Sequence, residues 1–316
     1  MKRILVLLIF SLIFSNYIYA KANKSEVSSF LELDKIVNDL NKHSTTLIVM
    51  DDDDTLTMMQ CDKTKEDKYC QYLGGPAWYS WQDQLLKDYQ QKKIDSKYRV
   101  ASNEDELLKI STLLFSLNNM PYTDKNIPNI LSKLSQKGVR LMVETARGSD
   151  NLSATSAQFS NLQAPNGTFL QLIKENSLKF GKNKTSSLAS PFLPCDIKSS
   201  RAISYQNGVM YLAGQDKGKM LQCILSLYEN TPTSNKIDTI VFIDDTLENV
   251  INIYNAFKTN KKYDVHAFHY TAFEQHKNAL TKGKKKDIYQ EQTYKRWIEI
   301  KKVIETNLLD PALEDN

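Results

Sequence analysis

Cysteine is scarce in this sequence, with four residues in 316, and no two of them stand as C-x-x-C. A zinc site built on that spacing is therefore excluded. Beyond the N-terminal residues there is no further apolar run of bilayer-spanning length. Charge of one sign is also missing. The formal net charge of +4 falls to +1 once Lys2, Arg3 and Lys21 are set aside, and no arginine-rich stripe remains to grip nucleic acid. The one basic run, "KGKKK" from Lys282 to Lys286, reads as a solvated loop. No internal repeat occurs.

The N-terminus has the three parts of a secretory signal peptide. Lys2 and Arg3 form a basic start, Ile4 to Phe14 an apolar stretch, and Ala20-Lys21-Ala22 an A-x-A cleavage site. The apolar stretch is short for a span, so residues 1–22 are expected to be a cleaved signal. The mature chain is then periplasmic or secreted, with no stable membrane span. In an exported chain cysteines invite disulfides. Cys61 and Cys70 flank a short polar segment and form a plausible local pair. Cys195 follows a proline in a loop, and Cys223 sits in the apolar helical stretch "MLQCILSLY", where a buried thiol is expected.

Along the chain, short β-rich runs alternate with helical patterns, which predicts an α/β fold with a parallel sheet. Strands are expected at "TLIVM", "VRLMVE", "IDTIVFI" and "DVHAFHY", and a hairpin around Gln206-Asn207-Gly208. Helices are expected from a capping Ser102, at "NIPNILSKLSQ" closed by Gly138, at "KGKMLQCILSLYEN", and at "LENVINIYNAFK". The C-terminal "IYQEQTYKRWIEIKKVIETN" has apolar residues at helical spacing and is expected to pack across the sheet. Two stretches break the alternation. Residues 58–101 read as a cap inserted into a core made of 23–57 and 102–316. Residues 149 to about 200 read as a long irregular excursion.

The chemistry gathers at strand ends. After "LIVM" come Asp51, Asp52, Asp53, Asp54 and Thr55; after "RLMVE" come Thr145 and Arg147. Lys217 and Lys219 open a helix, and "TIVFI" is followed by Asp244 and Asp245, with Asn249 one turn on. In a parallel sheet these sets share one edge, where ligands of open α/β sheets bind. Clustered carboxylates suit Mg²⁺, and a lysine with a hydroxyl suits a transferring phosphoryl group.

These residues resemble the motifs of the haloacid dehalogenase-like (HAD) superfamily. Its D-x-D-x-T is similar to Asp51-x-Asp53-x-Thr55, and its second motif to Thr145. Its lysine is similar to Lys217, with Lys219 the alternative, and its acid pair to Asp244 and Asp245. The resemblance covers about Thr46 to Tyr270, and within the superfamily the chain looks like the exported acid phosphatases. The "GGPAWYSWQ" segment and the layout also resemble the bacterial DUF2608 family.

The resemblance implies a three-layer Rossmann-like sheet with a mainly helical cap after the first strand. It implies an Mg²⁺-dependent phosphatase acting on small-molecule phosphate monoesters through an aspartyl-phosphate. Asp51 would be the nucleophile and a metal ligand. Asp53 would be the general acid and then the base, its carbonyl a further ligand; Asp244 and Asp245 would complete the metal set, Asp244 the better ligand and Asp245 acting directly or through water. Thr145 and Lys217 would bind phosphate, as would Arg147, unless it only pairs with an acid. The rival reading is an exported binding protein on the same fold. Asp52 and Asp54 are expected to shape the turn, and Asn249 either supports the metal shell or decorates a helix. Trp78, Tyr79 and Trp81 are expected in the cap's core. His266 and His269 should face opposite sides of a strand, which argues against a shared metal.

Overall fold

A computed structural model describes residues 21–59, 72–195, 197, 201–232 and 234–308. Residues 1–20 of the expected signal peptide (1–22), and the expected Cys61–Cys70 pair, lie outside the described residues.

A seven-stranded sheet forms the middle layer. The chain enters it with β1 (Ala22–Val27), crosses α1 (Phe30–Leu40), and returns in β2 (Thr46–Met50). Next come α2 (Pro76–Lys92), α3 (Glu104–Leu117), α4 (Ile127–Gln136) and β3 (Arg140–Thr145). A small subunit of α5 (Leu152–Asn161), the β4 (Gln163–Ala164) and β5 (Gly167–Thr168) ribbon, and α6 (Phe169–Asn176) follows. The hairpin β6 (Ser204–Gln206) and β7 (Val209–Tyr211) leads to α7 (Lys217–Glu229), β8 (Thr239–Asp244) and α8 (Leu247–Phe257). The chain closes with β9 (Asp264–Tyr270), α9 (Glu274–Thr281) and α10 (Lys286–Asn307).

Strand order is β1-β9-β8-β2-β3-β7-β6, all parallel except the β6–β7 edge. β2, β3 and β8 are buried on both faces, and their near-continuous apolar runs follow from that burial. Their side chains alternate between two cores. Leu47, Val49, Met142 and Phe242 face α7 and α8, while Ile48, Met50, Val143 and Ile243 face α1, α4 and α6.

Several expectations are corrected. Residues 149–200 are not one irregular excursion: α5 and α6 are helical, α6 beginning in a capping box on Thr168 and Gln171. The buried side of α5 is Thr155, Gln158 and Phe159, two of them polar, which hid its helical period. The cap of α3 is Asn103, whose side chain accepts the Glu106 N–H at 2.9 Å, rather than Ser102. Ser102 instead donates its N–H and hydroxyl to the Glu106 carboxylate at 2.7 Å each. Cys223 is not a free buried thiol. It is bonded to Cys195 with Cα atoms 5.5 Å apart, because the turn after Pro194 brings that loop onto α7. Nor does α10 cross the sheet. Its Tyr289 and Trp297 join Trp78, Trp81, Leu86, Leu107, Ile110 and Leu280 in a separate hydrophobic cluster, so the apolar stripe of α10 is met by α2, α3 and α9. Trp78 and Trp81 are buried there and Tyr79 packs alongside.

Candidate active site

The register places the site. Met50 lies opposite both Val143 and Ile243 across β2, so the residues that follow β2, β3 and β8 leave the sheet side by side. The loop after β2 is compact: the Asp52 carbonyl accepts the N–H groups of Thr55, Leu56 and Thr57. The Asp52 carboxylate accepts the Thr57 hydroxyl at 2.8 Å, and Asp54 takes a left-handed φ of 59°. These two acids shape the turn, as their neighbours require.

Lys217 is the first residue of α7 and is fully buried. Its ammonium donates to Asp51 at 2.5 Å and to Asp244 at 2.7 Å, tying two strand ends together. Gly218 makes this placement possible, since a Cβ there would meet the Asn252 carbonyl oxygen of α8 at 2.5 Å. Lys219 is exposed, and only its backbone takes part, donating to the Asp216 cap at 3.0 Å. Of the two lysines, Lys217 is the one at the acids. Asn249 donates to both Asp244 oxygens at 3.1 and 3.0 Å, which fixes that carboxylate. The Thr55 hydroxyl donates to Asp245 at 3.4 Å and accepts its N–H at 3.0 Å.

Thr145 is buried at the end of β3, its hydroxyl accepting the Arg147 N–H at 3.2 Å. Of the two roles open to Arg147, phosphate contact and pairing with an acid, the geometry shows the pairing. Its Nε and Nη2 hold the two Asp53 oxygens at 2.9 and 2.6 Å. Nη1 reaches Thr155 at 2.8 Å and Gln158 at 2.9 Å, and stands 3.1 Å from Asp52. The remaining Nη2 hydrogen points to Met120 Sδ at 3.4 Å, and the guanidinium lies over the Phe115 ring. All five N–H groups are thus engaged by protein, so Arg147 pairs with acids.

Three residues escaped the sequence reading. Lys277 of α9 forms an ion pair with Asp245 and also donates to the Asp245 carbonyl at 3.3 Å. Thr155 and Gln158 of α5 steady Arg147. Sequence motifs carry no signal for any of them, because each acts through a tertiary contact. The histidines separate as expected: His269 Nε2 contacts the Asp245 carbonyl at 3.1 Å, whereas His266 lies near Asn23 and Asp264.

The electrostatics follow from burial. Burial pushes the Asp51 carboxyl well above the usual range; Lys217 opposes this, while Asp244, Asp245 and Asp53 add to it. Burial likewise lifts Asp52 to about 6 against the pull of Arg147, and raises Asp54 and Asp245. Glu144 lies on the Lys217 side of β3 with neither buried oxygen hydrogen-bonded, and burial raises its carboxyl too. Burial works against the Lys217 charge, but Asp244 and Asp51 more than offset it, so its pKa is raised. Acids outnumber cations here, which is the condition a bound cation relieves.

Asp51, Asp244 and Asp245 each offer a carboxylate oxygen within 4.8 Å of the others. An all-oxygen, buried, acid-rich set of this kind fits a hard divalent cation such as Mg²⁺.

The sequence profile of the family described as "Protein of unknown function (DUF2608)" matches residues 26–309. The chain belongs to the DUF2608 family. No curated protein matches it. Among solved structures, this DUF2608 chain is similar to the HAD domain of the effector protein Lem4 from Legionella pneumophila, an inactive mutant. The identity is 13%, over 78% of this chain and 97% of that one, with a TM-score of 0.32. It is also similar to cytosolic 5'-nucleotidase IIIB bound to cytidine, at 14% identity over 85% of this chain and 92% of that one, with a TM-score of 0.28. Both overlays are loose, and what the DUF2608 site does follows from its own geometry. No described helix is long and apolar enough to cross a membrane.

Proposed function

We propose that the protein is an exported, Mg²⁺-dependent phosphatase that hydrolyses phosphate monoesters through a phosphoryl group carried on Asp51. The observation that carries this reading is the placement of Asp51. It stands at the end of β2, 2.5 Å from the buried Lys217 ammonium and beside Asp244 and Asp245.

In the proposed first step an Asp51 oxygen forms a bond to phosphorus as the ester P–O bond breaks. Lys217 and the Thr145 hydroxyl would stabilise charge on the transferring oxygens. Asp53 would supply the proton that the leaving oxygen takes up, a role that requires its carboxyl to leave the Arg147 fork that holds both of its oxygens here. In the second step Asp53 takes a proton from the attacking water, and the Asp51–phosphorus bond breaks to release phosphate. Arg147 does not bind phosphate in this scheme; it fixes where the Asp53 carboxyl stands. Mg²⁺ on Asp51, Asp244 and Asp245, with the Asp53 carbonyl as a further ligand, would offset the charge of the acids and the incoming phosphate. Export is supported by the N-terminal pattern and by the Cys195–Cys223 disulfide, which suits an oxidising compartment.

The test is phosphate release from a panel of phosphomonoesters with Mg²⁺, with chelator, and with Asp51→Asn. Metal-dependent release that the variant loses supports the phosphatase. Absence of release under all conditions, with Mg²⁺ binding intact, favours a binding protein on this fold.

A further inference from the structure

Two ammonium groups sit on the acid cluster, and they differ in whether they can leave. Lys217 bridges Asp51 and Asp244 with its side chain 1% exposed. Lys277 reaches in from α9 to one Asp245 oxygen, and its side chain is 24% exposed. The other Asp245 oxygen is shared with the Thr55 hydroxyl, and the carbonyl with His269. A divalent cation approaching Asp245 therefore meets Lys277 as the competing positive charge. Meanwhile α9 is anchored independently, since Leu280 is buried among the aromatic residues of α2 and α10. The lysine can thus swing out while its helix stays in place.

We infer that Lys277 is a tethered counter-ion of Asp245 that the divalent cation displaces, so that this lysine sets the metal affinity of the site. The inference rests on the metal-binding reading above. Two unit charges in contact near a protein surface interact strongly enough that the competition is measurable. Without metal, Lys277 offsets the charge of Asp245; with metal, the ammonium moves into solvent at the mouth of the site.

Two measurements test this on the purified protein. The first is Mg²⁺ affinity by calorimetry for the wild type, Lys277→Gln and Lys277→Arg. The neutral variant is expected to bind Mg²⁺ roughly tenfold more tightly, and the arginine variant within about twofold of wild type. The second is labelling of Lys277 by an amine-acylating reagent in the unmutated protein, read by mass spectrometry. Labelling should rise as Mg²⁺ is added, and this arm holds even where the neutral variant fails to fold. Equal or weaker affinity in Lys277→Gln, or labelling indifferent to Mg²⁺ while the wild type binds it, overturns the displacement alone. Absence of Mg²⁺ binding to the wild type overturns the metal reading and this inference with it.

Discussion

Lys217 and Arg147 carry the same charge, are both buried, and each hold two aspartates, yet their surroundings differ. Lys217 is a point charge among Asp51, Asp244 and the unpartnered Glu144. Arg147 is a planar fork with every N–H matched by Asp53, Thr155, Gln158 or Met120. A lysine in an acid-rich pocket can share its charge with an incoming anion. An arginine closed on all sides holds its neighbours still and has nothing left to give a ligand. In the proposed reaction the comparison separates the cation that would meet the substrate, Lys217, from the one that holds Asp52 and Asp53 in place, Arg147.

The sharpest way to break this division is Arg147→Met. It strands the buried Asp52 and loosens Asp53, so a loss of about 3–5 kcal/mol is expected in urea unfolding, the same with or without Mg²⁺. Lys217→Met should abolish phosphate release. Its stability loss, about 3 kcal/mol in chelator, should shrink on adding Mg²⁺, because a metal on Asp51 and Asp244 replaces the missing charge. Equal Mg²⁺ rescue of both variants would erase the distinction.

The pH dependence of the metal-free protein comes next in size. A carboxyl raised by folding binds its proton more tightly in the native state, so its contribution is present at low pH and fades as pH rises through the folded value. For Asp52 that window runs from the usual carboxylate range up through about 6. In that window stability should fall by up to roughly 1.4 kcal/mol per pH unit in chelator. Thermal unfolding between pH 4 and about 7 checks the sign. Asn249→Ala, which removes both amide bonds to Asp244, should cost about 1–3 kcal/mol and weaken Mg²⁺ binding. Lys219→Ala should change neither stability nor turnover, because its side chain is exposed.

The sequence made the acid-bearing strand ends legible because β2, β3 and β8 are buried on both faces and write themselves as apolar runs. Their order then brings Asp51, Thr145 and Asp244 to one edge. β1 was missed for the opposite reason: "ANKSEV" is exposed along its middle, and only pairing with β9 makes it a strand. α5 hid because its buried residues are Thr155, Gln158 and Phe159, two of them polar. The site was legible where a motif concentrates chemistry locally. It was illegible at Lys277 and at the partners of Arg147, where long-range packing decides. Likewise, nothing in the linear spacing of Cys195 and Cys223 marks them as a pair.

That disulfide turns part of the chain into a closed ring. The segment between Cys195 and Cys223 contains the β6–β7 hairpin and Lys217, with 28 positions separating the two cysteines. A single proteolytic cut at the exposed Arg201 would therefore open the ring without parting the molecule. Both fragments would remain covalently joined through α7, and reduction would be needed to separate the end that carries Lys217 from the end that carries Asp51.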